Sequence, residues 1–264
     1  MAQPEEEPVD KRCLQVCAQA AWPPTRARPG SVSSSPRLSL GPDSIHIWWI
    51  DLEGTERDAS AVLSAHERAR ATRFRHPRDG ARWTAARVAL RQILAGYTGD
   101  HPADIGLAQG VCVKPALGGG SPLRFSLSHA RERAVLAVAW EREDGIDLEP
   151  IDPGLDVSPL LAVVCSETEA ARIDAHPPAA RLEAFLAGWT LKEAFLKGTG
   201  AGLSRDPRMI EMELLPDGWT NVRDSVPDME GPPWSVRLLD AGPGWIAAVT
   251  IAGQEPAIMV YRWP

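Results

Sequence analysis

From Ser44 to Ile50 the chain is apolar, β-branched and aromatic but for Ser44 and His46, bounded by Gly-Pro-Asp before it and Asp-Leu-Glu-Gly after it. That pattern predicts a buried strand. Two helices are predicted next. The second, at about 81–97, sets Trp83, Ala86, Leu90, Ile93, Leu94 and Tyr97 at helical spacing and stops at Thr98-Gly99. After a glycine loop at 118–122 come predicted strands at 123–128, 134–140 and 145–149, then helices at about 156–175 and 181–198. Strands near 209–215, 234–239, 244–251 and 257–263 complete the pattern. Residues 1–42, rich in Pro, Ser, Ala and charge, keep neither a period of 2 nor of 3.6 and predict a poorly ordered tail. The order strand, helices, strands thus occurs once before residue 144 and again after it. The expectation is an α+β molecule of two similar lobes, 43–144 and 145–264, meeting face to face with a ligand site between them.

Polar residues interrupt this pattern at two informative places. Ile146 and Leu148 alternate with Asp147 and Glu149, so a strand there puts both carboxylates on one face. At a rise of about 3.3 Å per residue they stand about 7 Å apart, close enough to share one hard cation such as Mg²⁺. A plain wet face on a half-exposed strand has the same alternation. On the helix at 181–198, Leu182, Phe185, Leu186, Trp189 and Leu196 form one apolar stripe, with Glu193 in its middle, Lys197 at one edge and Lys192 at the other. A carboxylate on a core-facing stripe needs a metal or a cationic partner, and a structural ion pair with Lys197 or an arginine of the other lobe serves as well.

Three smaller features complete the candidate chemistry. Lys114-Pro115 places a lysine at a rigid bend, and Ser128-His129 ends the strand that begins near Leu123, although a serine at a strand end is ordinary turn chemistry. There is no G-x-S-x-G elbow, and Ser128 and His129 are adjacent, which disfavours a Ser-His-Asp hydrolase. Gly198-x-Gly200-x-Gly202 follows a helix and lacks a GK[ST] ending, so it reads as a C-cap and turn instead of a phosphate loop.

Composition narrows the partners. A net charge of −7 argues against a protein devoted to nucleic acid or anionic lipid. The charge is uneven: between Arg57 and Arg91 nine arginines face three acids, enough to hold a small polyanion. The four cysteines show neither zinc spacing nor a disulfide framework, no apolar run is long enough to span a membrane, and the first residues are acidic. A soluble, cytoplasmic protein is expected. Of 28 basic residues only Lys11, Lys114, Lys192 and Lys197 are lysines, so a lysine marks a place where a compact ammonium serves better than a planar guanidinium.

In their order these pieces resemble the 4′-phosphopantetheinyl transferases, in the two-lobed form that activates surfactin-type synthetases (Sfp-like). The matching residues run from Arg70-Ala71-Thr72-Arg73-Phe74-Arg75, Arg82-Trp83 and Ala86-Arg87, through Lys114-Pro115, Phe125-x-x-Ser128-His129 and Gly145-Ile146-Asp147-Leu148-Glu149. They end with Phe185-x-x-x-Trp189-Thr190-x-Lys192-Glu193-Ala194-x-x-Lys197 and Gly200-x-Gly202-Leu203. Three positions depart from the family pattern: Ser126 for an asparagine, Val113 for a glycine, and Glu67 for one of two basic residues at the 3′-phosphate.

The resemblance implies a pseudo-twofold pair of lobes in one monomer and transfer of 4′-phosphopantetheine from coenzyme A to a serine of an acyl or peptidyl carrier protein in secondary metabolism. The second product is 3′,5′-adenosine bisphosphate. It implies Mg²⁺, with Mn²⁺ an alternative, on Asp147, Glu149 and Glu193, and Glu193 as the base, directly or through a metal-bound water. Lys197 would donate to the pyrophosphate, while Arg70, Lys114 with Pro115, Ser128 and His129 would hold the phosphates of CoA. Alternative readings of the same residues are a Mg²⁺-dependent nucleotide or pyrophosphate hydrolase and a non-catalytic CoA- or carrier-binding homologue.

Overall fold

The computed structural model describes residues 38–53, 59–108, 114–214, 219–224 and 232–264. Eleven strands lie among these residues: β1 (Ser44–Asp51), β2 (Leu107–Ala108), β3 (Ala116–Leu117), β4 (Leu123–Ala130), β5 (Arg133–Trp140), β6 (Asp144–Pro150), β7 (Ile210–Leu214), β8 (Trp219–Asp224), β9 (Trp234–Leu239), β10 (Trp245–Ala252) and β11 (Ala257–Trp263). Five α-helices accompany them: α1 (Ala65–Ala71), α2 (Pro77–Thr98), α3 (Ser158–Val164), α4 (Glu167–Asp174) and α5 (Pro178–Thr199). The strands form a four-stranded sheet in the order β11-β1-β5-β4, a five-stranded sheet in the order β6-β10-β9-β8-β7, and the small β2-β3 pair. The molecule is α+β, as expected.

The largely apolar run of β1 follows from cover on both faces. Ile45, Ile47 and Trp49 pack with Val135, Ala137 and Ala139 of β5 against Ile146, Leu148, Ala247, Val249 and Ile251 of the second sheet. On the other face Trp48 and Ile50 meet Leu90, Ile93, Leu94 and Tyr97 of α2. The outer face of the second sheet is covered in the same way, with Leu191, Ala194, Phe195 and Leu196 of α5 packed on Ile210, Val236 and Ala248. The result is four layers, α2, sheet, sheet and α5, with the two sheets face to face. Where they adjoin, the buried Ser126 Oγ of β4 accepts a hydrogen bond from the Ile146 N–H of β6 at 3.2 Å.

Four expectations are revised. The helix predicted over 156–175 is two helices, because Ser166 caps α4 through a capping box with Glu169 and α3 stops at Cys165. β8 was not predicted, since Trp219-Thr220-Asn221-Val222-Arg223-Asp224 carries little apolar alternation. β11, assigned by chain order to the second lobe, instead pairs in parallel with β1 from Ser44 opposite Ala257 to Ile50 opposite Trp263. Chain order did not reveal this, because the unpaired edge of β1 exists only after folding. Lastly, α5 is buried on two sides, against the second sheet and against Val164, Cys165 and Ile173 of the α3–α4 region, so it carries two apolar faces where one stripe was read.

Residues 1–37 of the expected tail lie outside the described residues, as does Val113. Leu38 is placed: its N–H donates to the Gly96 carbonyl at 2.9 Å, and it packs with Leu40 against the first core. Among the described residues no helix is long and apolar enough to cross a membrane.

Candidate active site

Asp147 and Glu149 leave β6 on the face opposite Ile146 and Leu148, beneath α5. The helix comes this close because both backbones carry glycine at the crossing. A Cβ on Gly145 would lie 2.0 Å from the Ala194 carbonyl oxygen and 2.4 Å from the Gly198 nitrogen, and one on Gly198 would lie 2.6 Å from the Thr250 methyl. With no Cβ in the way, Glu193 and Lys197, one turn apart on α5, stand over the strand acids.

Lys197 Nζ sits 2.5 Å from Asp147 Oδ1 and donates to Ser128 Oγ at 3.1 Å, while the Ser128 hydroxyl donates to the same Asp147 oxygen at 3.0 Å. Ser128 of β4, Asp147 of β6 and Lys197 of α5 thus close a triangle across the junction of the two sheets. Asp147 is 3% exposed, and its other oxygen, Oδ2, is buried without a hydrogen-bond partner among the described residues. Burial raises the Glu149 pKa, the Asp147 charge adds to the rise, and the Trp189 indole N–H, which donates to Oε1 at 3.3 Å, opposes it. Glu193 is also raised, chiefly by burial, with Lys197 working against the rise and Asp147 for it.

Beside this triangle lies a half-open cavity of about 450 Å³. Lys197 and His129 border it, together with Lys114, Pro115, Arg70 and Arg87, and Trp83, Leu90, Phe125 and Leu196 make its apolar walls. Arg70 reaches over the Trp83 ring, 5.4 Å from its centre. Partial burial and the neighbouring Lys197 charge hold His129 below its ordinary pKa, so near neutral pH it offers an uncharged ring to the cavity.

Lys114 lines the cavity, yet its ammonium donates to Glu143 Oε2 at 3.1 Å, the Asp144 carbonyl at 2.5 Å and Asp144 Oδ1 at 2.9 Å. Full burial pushes Asp144 up to about 6 in spite of that contact. Lys192 proves structural: 1% exposed, it joins the Val164 and Pro207 carbonyls and Glu169 and ties α5 to its neighbours.

Of the nine residues singled out from the sequence, five (Arg70, Lys114, Pro115, His129 and Lys197) line the cavity. Ser128 and Asp147 meet Lys197 at its edge, and Glu149 and Glu193 share the electrostatic field of Asp147. Among the described residues no three His, Cys, Asp or Glu side chains are gathered about one point as in a formed metal site. The donor set nevertheless fits a hard divalent cation: three carboxylates, one with a buried oxygen unpartnered among the described residues and two whose pKa values are raised chiefly by burial, with the Asp147 charge adding a repulsion that a cation would relieve. Sequence reasoning gave no site role to Arg87 or Asp144. Arg87 was readable as one more base in an arginine-rich segment, and Asp144 carried no signal apart from standing next to the GIDLE motif.

Residues 145–250 match the model of the 4′-phosphopantetheinyl transferase superfamily. The chain is 36% identical over 224 residues to the 4′-phosphopantetheinyl transferase HetI of Nostoc sp., covering 83% of this chain and 92% of that protein. It is 30% identical over 200 residues to a 4′-phosphopantetheinyl transferase of Bacillus subtilis, covering 75% of this chain and 86% of the other. To the 4′-phosphopantetheinyl transferase Sfp of Bacillus subtilis it is 26% identical over 201 residues, 76% of this chain and 86% of that one.

Proposed function

The chain belongs to the 4′-phosphopantetheinyl transferase superfamily and transfers phosphopantetheine to a carrier protein, and from this premise we propose how its own residues carry out the reaction. The observation that carries the reading is the triangle of Ser128, Asp147 and Lys197 at the edge of a cavity that three further basic side chains line. A pyrophosphate entering there meets cations without displacing a core residue.

Coenzyme A is the donor. Arg70, Lys114, His129 and Ser128 hold its phosphates, with Pro115 stiffening the segment that carries Lys114, and the Lys197 ammonium shifts from Asp147 and Ser128 to a position shared with the pyrophosphate. The carrier serine oxygen attacks the phosphorus that bears pantetheine. A new P–O bond forms to serine, the bond from that phosphorus to the bridging oxygen breaks, and 3′,5′-adenosine bisphosphate departs with the electron pair. The serine proton passes to Glu193, directly or through water, and the raised pKa of that carboxylate makes it a better proton acceptor than an ordinary glutamate. Asp147, Glu149 and Glu193 are the side chains that would hold Mg²⁺, or Mn²⁺, and the cation would offset the charge gathering on the departing phosphate. The enzyme works as a cytoplasmic monomer in which both halves of one chain build the site.

The direct test is to incubate purified protein with Mg²⁺, CoA and apo carrier proteins of peptidyl and acyl type, and to read the carrier mass. Gain of phosphopantetheine on at least one carrier is expected. CoA binding without mass gain on any carrier would sink the transfer chemistry, and phosphate release without carrier modification would point to a hydrolase. In the same assay Glu193→Gln is expected to lower the rate by about 10²–10⁴-fold, the usual contribution of a positioned base. Near-normal transfer in that variant refutes the base assignment.

A further inference from the structure

Lys114 borders the cavity, yet every donor of its side chain is already engaged. An ammonium has three N–H groups. Here one meets the Asp144 carbonyl at 2.5 Å, one Asp144 Oδ1 at 2.9 Å and one Glu143 Oε2 at 3.1 Å. Both acids come from the short connection out of β5, with Glu143 in the connection itself and Asp144 as the first residue of β6. A phosphate oxygen entering the cavity bonds this ammonium only if one of the three acceptors gives up its place.

Which acceptor yields follows from what each is left with. Asp144 is 0% exposed, and its second oxygen is buried without a partner among the described residues. Burial pushes its carboxyl up to about 6, and Lys114 is the cation that works against the rise. Stripped of that ammonium, Asp144 would stand as an unpaired buried anion or take up a proton, and both are costly. Glu143 is in the opposite position. Its side chain is 48% exposed, and its other oxygen, Oε1, accepts from Arg124 Nε of β4 at 2.7 Å. Arg124 is itself held, with Nη1 donating to the Ser121 carbonyl at 2.6 Å. Burial works against the Glu143 charge, but Lys114 and Arg124 outweigh it and keep the carboxyl below its ordinary pKa. Near neutral pH it is therefore an anion set on a cation of the cavity wall, through an exposed contact of the kind that contributes little and exchanges readily.

We propose that Glu143 is a built-in competitor of the donor substrate: in the ligand-free protein its carboxylate occupies the place on Lys114 that a CoA phosphate oxygen takes, and on binding it falls back onto Arg124 while Lys114 stays on Asp144. The inference rests on CoA being the donor and on Lys114 meeting one of its phosphates. No covalent bond changes in the exchange. One carboxylate oxygen leaves the ammonium, one phosphate oxygen replaces it, and the reverse step restores the ion pair when the ligand leaves. Glu143 thereby sets how tightly CoA is held without lining the cavity itself.

The test is calorimetric titration with CoA of the wild-type protein, Glu143→Gln, Lys114→Met and the double variant, alongside KM for CoA and kcat in carrier modification. Glu143→Gln keeps the shape of the side chain and removes its charge. It is expected to bind CoA about 2- to 5-fold more tightly, the size of an exposed ion pair, with KM falling by the same factor and kcat not rising. In the Lys114→Met background the same substitution should leave CoA affinity unchanged, because there is no ammonium left to compete for. If Lys114→Met does not fold with Asp144 unpaired, Lys114→Met with Asp144→Asn serves as the background. Arg124→Gln removes the fallback partner and should weaken CoA binding by a similar factor, but only while Glu143 is present. Equal tightening in both backgrounds would report a general loss of negative charge near an anionic ligand and overturns the proposal, as does weakening by Arg124→Gln that survives Glu143→Gln. Unchanged CoA affinity in Glu143→Gln, with carrier modification intact, overturns this inference alone. A wild-type protein that binds no CoA overturns it together with the donor reading.

Discussion

His46 lies inside β1, 4% exposed, with its Nδ1 accepting from the Tyr97 hydroxyl at 2.7 Å while the Trp48 indole N–H donates to the same hydroxyl at 2.8 Å. Burial drives its pKa from 6.5 down to about 4, so the folded protein keeps this ring neutral where an unfolded chain would protonate it. Between those two values the unfolded state binds the extra proton, so the contribution to stability is whole above pH 6.5 and is lost as pH falls toward 4. At about 1.4 kcal/mol per pKa unit the loss amounts to roughly 3 kcal/mol. Urea unfolding from pH 7 to 4 should show that decline, and His46→Gln should flatten it. A variant with an unchanged pH slope would assign the acid sensitivity to other groups. Residue identity also decides Lys192. Its ammonium is placed among two carbonyls and Glu169, which explains a lysine in a chain whose basic residues are otherwise nearly all arginine.

At the scale of elements, the site depends on the crossing of β6 and α5. Asp147 and Glu149 belong to one element and the proposed base Glu193 and Lys197 to the other, and their separation is set where Gly145 meets Ala194 and Gly198. Because the atoms that a new methyl would strike at Gly145 are backbone, a side-chain shift cannot relieve the overlap. Gly145→Ala is expected to cost about 1–3 kcal/mol through overpacking. A displacement of α5 by about 1 Å should also lower transfer roughly 100-fold in protein that remains folded. Thermal melting and the carrier-mass assay read the two effects separately, and a variant normal in both would mean the crossing does not set the site. The alternation of Ile146 and Leu148 with Asp147 and Glu149 was enough to place the acids on one face. That Gly145 serves the helix crossing was not legible, since the atoms it avoids lie about fifty residues away in the sequence.

For the whole molecule, the C-terminal strand closes a sheet that the N-terminal half begins. Tyr261 of β11 stacks on Trp48 with ring centres 4.6 Å apart, and Trp263 meets the same ring edge-on at 6.2 Å. Deleting residues 257–264 exposes the edge of β1 and strips these aromatics from the first core. Large apolar side chains contribute about 1.5–3 kcal/mol each when fully buried, against a typical total of about 5–15 kcal/mol. The truncated protein should therefore melt well below the full chain or fail to stay soluble, as scanning calorimetry and gel filtration would show. A native melting temperature would mean β11 is dispensable. What the sequence determined by itself was everything local or periodic: the α+β class, most strands and the two long helices, the shared face of Asp147 and Glu149, the misplaced polarity of Glu193 and Lys197, and the motif order that names the family. Tertiary structure decided what depends on distant groups meeting. It placed β11 beside β1, built the Ser128–Asp147–Lys197 triangle from three elements, set Lys114 beside Glu143 and Asp144 at the cavity wall, and paired Glu67 with Arg87 and Arg91. Periodicity reports which face a residue occupies, whereas the partner across that face is set only when layers pack, because burial and ion pairing are properties of the assembled interior.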